Sequence, residues 1–385
     1  MLGFEFTTTR RLVNEPGGIK KLGVLCQQLN ISRPVLITDP GIVAAGLLDR
    51  ACEPLACSEL PVNVFSDVQA DPPESVVEAA IQFALDSEAD GIIGFGGGSA
   101  MDTAKLVALI ARSGEQLSDI YGVEQVKGQR LPLIQVPTTA GTGSEVTPIS
   151  IVTTGAATKM GVVSERLQPD LALLDAELTL GLPAAVTAST GVDAMVHAIE
   201  AYTSQHRKNP YSDMLAHQAL RLLSANIQQA VKAPGDIDAR QNMLLGAMMA
   251  GQAFANAPVA AVHALAYPLG GQFHISHGLS NSLVLPEVMR FNVESAASLY
   301  AELSPSIMGS ATPQGSDQEV ALALIAYIEK MIKGVALPTR LRDLDIPEEA
   351  LVGLAKDAMG QQRLLINNPR EVTEQDALAI YQAVY

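Results

Sequence analysis

Basic residues are scarce in this chain of 385: 25 Lys and Arg stand against 41 Asp and Glu, a formal net charge of −16. That balance rules out the broad basic field that nucleic acid or an anionic membrane surface requires, so any anionic ligand must be held locally. Cysteine is scarcer still. Cys26, Cys52 and Cys57 are too few for a disulfide framework in a chain this long, and none sits in a C-x-x-C spacing; they read as reduced thiols of a cytoplasmic protein. The stretch Met1-Leu-Gly-Phe-Glu-Phe-Thr lacks the basic and apolar regions of a signal peptide. Residues 243–266 hold no Asp, Glu, Lys or Arg, but Gln252, Asn256, Pro258 and His263 interrupt them. Their Gly and Ala content suits close helix packing, and a buried core is expected there rather than a membrane span.

Hydrophobic residues make up 48% of the chain and charged ones 17%, a globular composition, and the length allows two domains. The first half alternates short apolar runs with helical periodicity. Residues 4–9 alternate apolar and polar side chains like a strand, and 34–39, 62–65, 91–95, 131–136 and 171–174 read as buried strands. Helices are expected between them at 19–29, 74–87 and 99–112. This order predicts a doubly wound α/β domain with a mostly parallel sheet over residues 1–181. Beyond Leu182-Pro183 no further strand pattern occurs. Helical periodicity takes over at 184–203, 209–231, 236–255, 258–267, 294–303, 316–333, 347–359 and 373–383. An all-α domain is expected over 182–385, with the site in the cleft between the two.

Two glycine-rich turns lie in the first half. Gly94-Phe-Gly96-Gly97-Gly98-Ser99-Ala-Met-Asp102-Thr-Ala-Lys105 follows a buried strand and opens a helix, where free amides and the helix dipole favour an anion. Its spacing is neither G-x-G-x-x-G nor a P-loop, and a plain strand-to-helix turn is the alternative. Pro137-Thr138-Thr139-Ala-Gly141-Thr142-Gly143-Ser144-Glu145-Val-Thr147 also follows a strand, with hydroxyls suited to phosphate or ribose oxygens, or simply to local turns. Asp39 ends its strand where a carboxylate can accept from an adenosine ribose and repel a 2′-phosphate, which favours NAD over NADP; an aspartate in a plain Asp-Pro-Gly turn is the alternative.

In the second half, Asp193 and His197 lie one helical turn apart and share a face. Alone they read as a hydrogen-bonded pair on an amphipathic helix. A second stretch, His263-Ala-Leu-Ala-Tyr267-Pro-Leu-Gly-Gly-Gln-Phe-His274-Ile-Ser-His277-Gly278, raises the supply of imidazoles to what a metal needs.

Four motifs, in this order and spacing, make the chain resemble the iron-containing (group III) alcohol dehydrogenases, relatives of glycerol dehydrogenase and dehydroquinate synthase. They are G-G-G-S-x-x-D-x-x-K at 96–105, P-T-T-A-G-T-G-S-E at 137–145, T-G-x-D-A-x-x-H-A-I-E at 190–200, and H-x-L-x-Y-x-L-G-G with H-x-x-H-G at 263–278. The resemblance implies one divalent metal, Fe(II) or Zn(II), on Asp193, His197, His263 and His277. It implies that Gly96, Gly97, Gly98 and Ser99, with Asp102 in the same motif, serve the pyrophosphate, and that Asp39 and Asp71 lie on the adenosine side. Thr138, Thr139, Thr147 and Lys159 line the rest of the dinucleotide site, and Phe254 matches a position by the substrate channel. It also implies a homodimer paired through N-terminal strands, here residues 4–9.

Many members carry a second histidine one turn after the first ligand of the last motif; here that residue is Tyr267. A phenol near a pKa of about 10 is a poor base at neutral pH, and His274 offers a substitute proton relay. His206 and His217 match no motif. The expected activity is NAD-dependent interconversion of a short-chain alcohol or diol and its aldehyde. The alternatives are an oxo-acid reductase or transhydrogenase like maleylacetate reductase, a dehydroquinate synthase-like lyase, which needs a Lys and Arg cluster where this chain has Ala, Leu, Gly and Phe, and a non-catalytic nucleotide or metal sensor.

Overall fold

The structure is a computed structural model describing residues 3–155 and 158–385. The chain divides into two compact units, Thr7–Gly181 and Leu182–Tyr385, and the described residues ahead of Thr7 go with the second.

In the first unit the strands are β1 (Arg11–Asn14), β2 (Pro34–Ile37), β3 (Asn63–Phe65), β4 (Gly91–Gly96), β5 (Gly122–Val123), β6 (Leu133–Pro137), β7 (Ile149–Thr154), β8 (Thr158–Val163) and β9 (Leu171–Leu174). Its helices are α1 (Leu22–Gln28), α2 (Pro40–Ala44), α3 (Leu48–Cys57), α4 (Glu74–Asp86) and α5 (Gly98–Ser113). Six strands form one sheet in the order β1-β9-β6-β4-β2-β3, every pair parallel. Strands β2, β4, β6 and β9 are buried at every position, as a sheet covered on both faces requires. Alternation along β4 sends Ile92 to a core with Val77 and Ala80 of α4 and Leu106 of α5, and sends Ile93 and Phe95 to one with Leu22 and Leu25 of α1 and Leu55 of α3. Helices therefore cover both faces, and the sheet is doubly wound. From β2 the chain steps outward to β3 and then returns to β4 on the other side, so the order reverses between β2 and β4. The crevice at the carboxyl ends of two such strands is where this architecture accommodates ligands.

The second unit is helical: α6 (Ala184–Thr203), α7 (Pro210–Lys232), α8 (Ile237–Asn256), α9 (Ala261–Phe273), α10 (His277–Met308), α11 (Asp317–Gly334), α12 (Leu351–Ala358), α13 (Gln362–Leu365) and α14 (Glu374–Ala383). Caps set several starts. Asn209 accepts from Ser212 N ahead of Pro210, Asp236 accepts from Ala239 N, and Ser316 with Glu319 and Thr373 with Asp376 form capping boxes. No single helix among the described residues is long and apolar enough to cross a membrane. The charge-free stretch 243–266 is broken into α8 and α9, bent by 107°, and most of its residues are buried.

Some sequence expectations give way. Residues 4–9 form no strand; the edge strand is β1, paired with β9. Phe4 and Phe6 instead lay their rings on Tyr211 of α7, at centroid distances of 5.7 and 5.5 Å, which ties this segment to the helical unit. The helix expected at 258–267 runs on to Phe273 through Pro268, and the one expected at 294–303 is the middle of the 32-residue α10, which contains Pro286. A proline removes one helical hydrogen bond and crowds the preceding turn, but Leu283, Leu285, Val288 and Met289 are buried around Pro286, and packing carries the helix past it. The small sheet β5-β8-β7 has no buried apolar run; β8 alternates exposed and half-buried residues through Thr158, Lys159, Met160 and Gly161.

Candidate metal centre

The second half of α6 is buried on every side, from Gly191 to Thr203, so Asp193 and His197 project into the interior of the helical unit. His263 is the third residue of α9 and His277 the first of α10. One donor atom from each of Asp193, His197, His263 and His277 lies within 4.8 Å of the others, close enough for one ion to reach all four. Asp193, His197 and His263 are almost wholly buried, while the His277 side chain is 42% exposed. The approach of α10 to α6 depends on Gly278: a Cβ there would stand 2.4 Å from the Ser189 carbonyl oxygen.

Rings continue the group. His197 stacks on His263 at 4.8 Å and on Phe254 of α8 at 4.4 Å. The His277 ring lies 5.2 Å from that of His263 and 6.0 Å from that of Tyr267, one turn after His263 on α9. His274 ends α9 with φ 55°, in the left-handed region, and its side chain is exposed. Neither its ring nor that of His206 appears in the ring contacts of the group. His217 is elsewhere, with Nδ1 2.8 Å from Ser306 Oγ and its ring edge-on to Tyr202.

Two buried residues complete the arrangement and were not singled out from the sequence. Glu200 Oε2 lies 2.6 Å from His263 Nδ1, and Oε1 accepts from Val262 N at 2.7 Å. One carboxylate thus satisfies a free amide at the start of α9 and accepts from His263 Nδ1–H, leaving its Nε2 lone pair for the donor group. Glu200 closes the 190–200 motif and follows Asp193 by seven residues, two helical turns, so the motif and that spacing both pointed to it. Asn281, one turn after His277 on α10, brings Nδ2 within 2.6 Å of Asp193 Oδ1, 3.2 Å of His277 Nε2 and 3.3 Å of His263 Nε2. Burial alone would raise the Asp193 carboxyl; His277, His197 and His263, with the Asn281 amide, outweigh it and hold the group below the usual carboxylate range.

In the α/β unit, Asp39 ends the β2 segment and the glycine turn ends β4, on the two sides of the reversal in strand order. Asp39 and Gly97 to Ala100 line a pocket of about 500 Å³ together with Val68, Gln69 and Ala70. Gly96 has φ 152°, and a Cβ on it would meet Ala100 Cβ at 2.9 Å and Asp39 Oδ2 at 3.1 Å. Gly97 then caps α5 and Gly98 opens it. Asp39 Oδ1 accepts from Ile42 N at the start of α2. Asp71 has φ 53°; its amide donates to Ser99 Oγ at 3.3 Å, and its carboxylate pairs with Lys159 Nζ at 2.5 Å.

Asp102 faces inward. Its Oδ1 accepts from Ser144 Oγ at 2.6 Å and its Oδ2 from Ile151 N at 2.9 Å. Lys105, fully buried, brings Nζ within reach of four oxygens, Ser144 Oγ, Thr147 Oγ1, the Ile149 carbonyl and, at 3.3 Å, Asp102 Oδ1, and its three N–H groups are shared among them. These bonds join the helix of the first glycine turn to the second cluster. Thr138 N donates to the Gly96 carbonyl at 3.0 Å, and Thr139 Oγ1 lies 3.7 Å from where a Gly97 Cβ would stand.

Comparison with known proteins bears on both halves. The family described as "Iron-containing alcohol dehydrogenase" matches residues 9–176, and the "Fe-containing alcohol dehydrogenase family, C-terminal" matches residues 187–385. The chain belongs to the iron-containing alcohol dehydrogenase family. As a member of that family it is an oxidoreductase. It is 41% identical over 372 residues to long-chain-alcohol dehydrogenase 1 of Geobacillus thermodenitrificans, covering 96% of this chain and 93% of that one. Its fold superposes on a solved 1,3-propanediol oxidoreductase with a TM-score of 0.96 at 32% identity, each chain covered in full. It also superposes on sulfoacetaldehyde reductase from Bifidobacterium kashiwanohense, solved in complex with NAD+, with a TM-score of 0.87 at 27% identity, over 100% of this chain and 99% of the other. The donor set fits the family's metal: one carboxylate and three imidazoles suit a divalent cation of borderline hardness, and the exposure of His277 leaves one side open to solvent.

Proposed function

We propose that this chain is an NAD-dependent, divalent-metal-dependent alcohol dehydrogenase that interconverts a short-chain alcohol or diol and its aldehyde by hydride transfer. The observation that carries the reading is the convergence of Asp193, His197, His263 and His277 within 4.8 Å. A cation held there supplies Lewis acidity toward a substrate oxygen. Fe(II) and Zn(II) both suit the donors; intrinsic affinity favours zinc, and cellular supply decides between them. Glu200 keeps the proton on His263 Nδ1 so that Nε2 stays a donor. Phe254, stacked on His197, walls the site with an apolar face.

On the cofactor side, the amides of Gly97, Gly98 and Ser99 at the start of α5 receive the pyrophosphate. Asp39 accepts from the ribose hydroxyls and repels a 2′-phosphate, which makes NAD the preferred dinucleotide. Thr138, Thr139, Thr147 and Lys159 serve the rest of the dinucleotide. His274, exposed at the end of α9, passes the alcohol proton to solvent, and Tyr267 lines the wall beside His277. By name, the relatives above act on long-chain alcohols, a diol and a charged aldehyde, so alcohols and aldehydes of both short and long chain belong in the assay, and short-chain alcohols and diols remain the class proposed. A homodimer is part of the same reading, and sedimentation of the purified chain tests it.

The decisive experiment is an anaerobic assay of Fe(II)- and Zn(II)-loaded protein with NAD and NADP over primary alcohols, diols and hydroxy acids. Alcohol-dependent NADH formation is expected with both metals. Activity on hydroxy acids alone moves the chain to the oxo-acid reductases, and full activity in metal-free protein sinks the metal reading.

A further inference from the structure

Asn281 belongs to none of the four motifs, yet its side-chain amide reaches more of the donor residues than Glu200 does. Its Nδ2 touches three of the four donor residues, at 2.6 Å from Asp193 Oδ1, 3.2 Å from His277 Nε2 and 3.3 Å from His263 Nε2. The residue is 0% exposed. Its Oδ1 is buried as well and has no hydrogen-bond partner among the described residues. An asparagine kept for structure ordinarily commits both ends to backbone or to a neighbouring helix, as Asn209 and Asn292 do here: Asn209 Oδ1 accepts from Ser212 N while its Nδ2 donates to the Arg207 carbonyl, and Asn292 exchanges two amide bonds with Asn368. Asn281 directs its donor at the ligands alone and leaves its acceptor unpaired, an arrangement that works against folding stability. Replacing it with an apolar residue of the same shape would remove that cost.

We propose that Asn281 is a positioning residue of the metal centre, whose amide holds one oxygen of Asp193 so that the carboxylate meets the cation through a single oxygen. The proposal rests on the metal reading above. A carboxylate oxygen has two lone pairs, so the amide can hold Oδ1 while the group still ligates; each imidazole Nε2 has one, so the longer contacts to His263 and His277 yield when a cation takes those pairs. The side chain is also neutral. An aspartate at 281 would face Asp193 across the same 2.6 Å without a donor and would add a second buried negative charge. Asn281 thus supplies orientation without changing the charge of the donor set, as residues behind metal ligands commonly do.

The test uses the full chain with Asn281→Leu, similar in shape and without a donor, and Asn281→Ala as a smaller replacement, also without a donor, if leucine is not accommodated. Three quantities are measured on each and on wild type: the Zn(II) dissociation constant by chelator competition, the visible spectrum of the Co(II)-substituted protein, and the melting temperature with excess chelator. Metal affinity is expected to fall about 10- to 100-fold. The Co(II) bands are expected to weaken as the released carboxylate binds through both oxygens and raises the coordination number. The chelated variant is expected to melt at or above the wild-type temperature, because the unpaired oxygen is gone. An unchanged dissociation constant and Co(II) spectrum overturn the proposal. So does a chelated melting temperature that falls as far as the metal-loaded one, which identifies a packing role. Wild-type protein that binds no Zn(II) or Co(II) sinks the metal reading itself, a result distinct from either.

Discussion

On the proposed reading, the metal group and the glycine turn would hold their ligands by opposite means. At the dinucleotide site proposed around Gly96 the ligand would meet main-chain amides of consecutive residues, and the side chains nearby, Asp102 and Lys105, brace the turn through Ser144, Thr147 and Ile151. In the helical unit the ligand-facing atoms are side chains from α6, α9 and α10, brought together over 84 residues and held by Glu200 and Asn281. Backbone sites tolerate side-chain change but not a change of φ; side-chain sites tolerate neither loss of a donor nor loss of the group that aims it. Substitutions in the two places should therefore fail differently.

His263→Ala is the largest break. It removes a donor and the partner of Glu200, which is left as a buried carboxylate with only Val262 N to bind. Turnover is expected to fall about a thousandfold or more, equivalent to roughly 4 kcal/mol of transition-state stabilisation, with the bound metal lost and dinucleotide binding retained. Metal analysis alongside NADH titration checks both halves, and a variant that keeps its metal would contradict the assignment of His263. Glu200→Gln is the next step down. The amide can still accept from Val262 N, but it no longer offers His263 Nδ1 a carboxylate, so metal affinity is expected to drop about 10- to 100-fold with little change in dinucleotide affinity.

The same contrast explains what could be read in the sequence. The glycine turn, the strand 171–174 and the helix 184–203 were recognisable because their evidence is local: apolar runs, helical periodicity and glycines in consecutive positions. The four donor residues needed the motif resemblance, since nothing in spacing alone brings His263 to Asp193. Glu200 and Asn281 escaped because a buried carboxylate or amide on an apolar helix is defined by what it faces across the fold. The failure at residues 4–9 has the same origin. Alternation there is real, but in the single chain the two phenylalanines pack on Tyr211, some 200 residues on, and residues 4–9 pair with no strand among the described residues.

On the backbone side, Gly96→Ala should sharpen the comparison. The φ of 152° and a Cβ contact of 2.9 Å with Ala100 together are expected to cost about 1–3 kcal/mol of stability and to weaken NAD binding about tenfold. Metal content should stay at the wild-type level. If the variant loses metal as readily as His263→Ala does, the two regions are not separable in the way argued. Asp39→Asn is milder: an amide can still accept from Ile42 N, so the start of α2 survives while the charge opposed to a 2′-phosphate is gone. The ratio of kcat/KM for NADP over NAD is expected to rise about tenfold, that is by about 1.4 kcal/mol, and an unchanged ratio would remove Asp39 from the adenosine site.

The smallest effect is expected at Glu145, a buried member of the second cluster. Burial pushes its carboxyl up from 4.5 to about 7, although Lys105 works in the opposite direction. The folded chain then keeps this proton to a higher pH than the unfolded chain does. The stability the group contributes is fully present below about pH 4.5 and is lost as pH rises through about 7. Glu145→Gln is neutral at every pH and cannot lose it. Wild type and variant should therefore melt close together at pH 5, and the variant should gain on wild type by pH 8, with NAD and metal binding unaffected at either pH. Parallel melting curves across that range would show that Glu145 ionises at no cost in the folded chain. Lys105 would then be an effective counter-charge rather than only a clamp between the two loops.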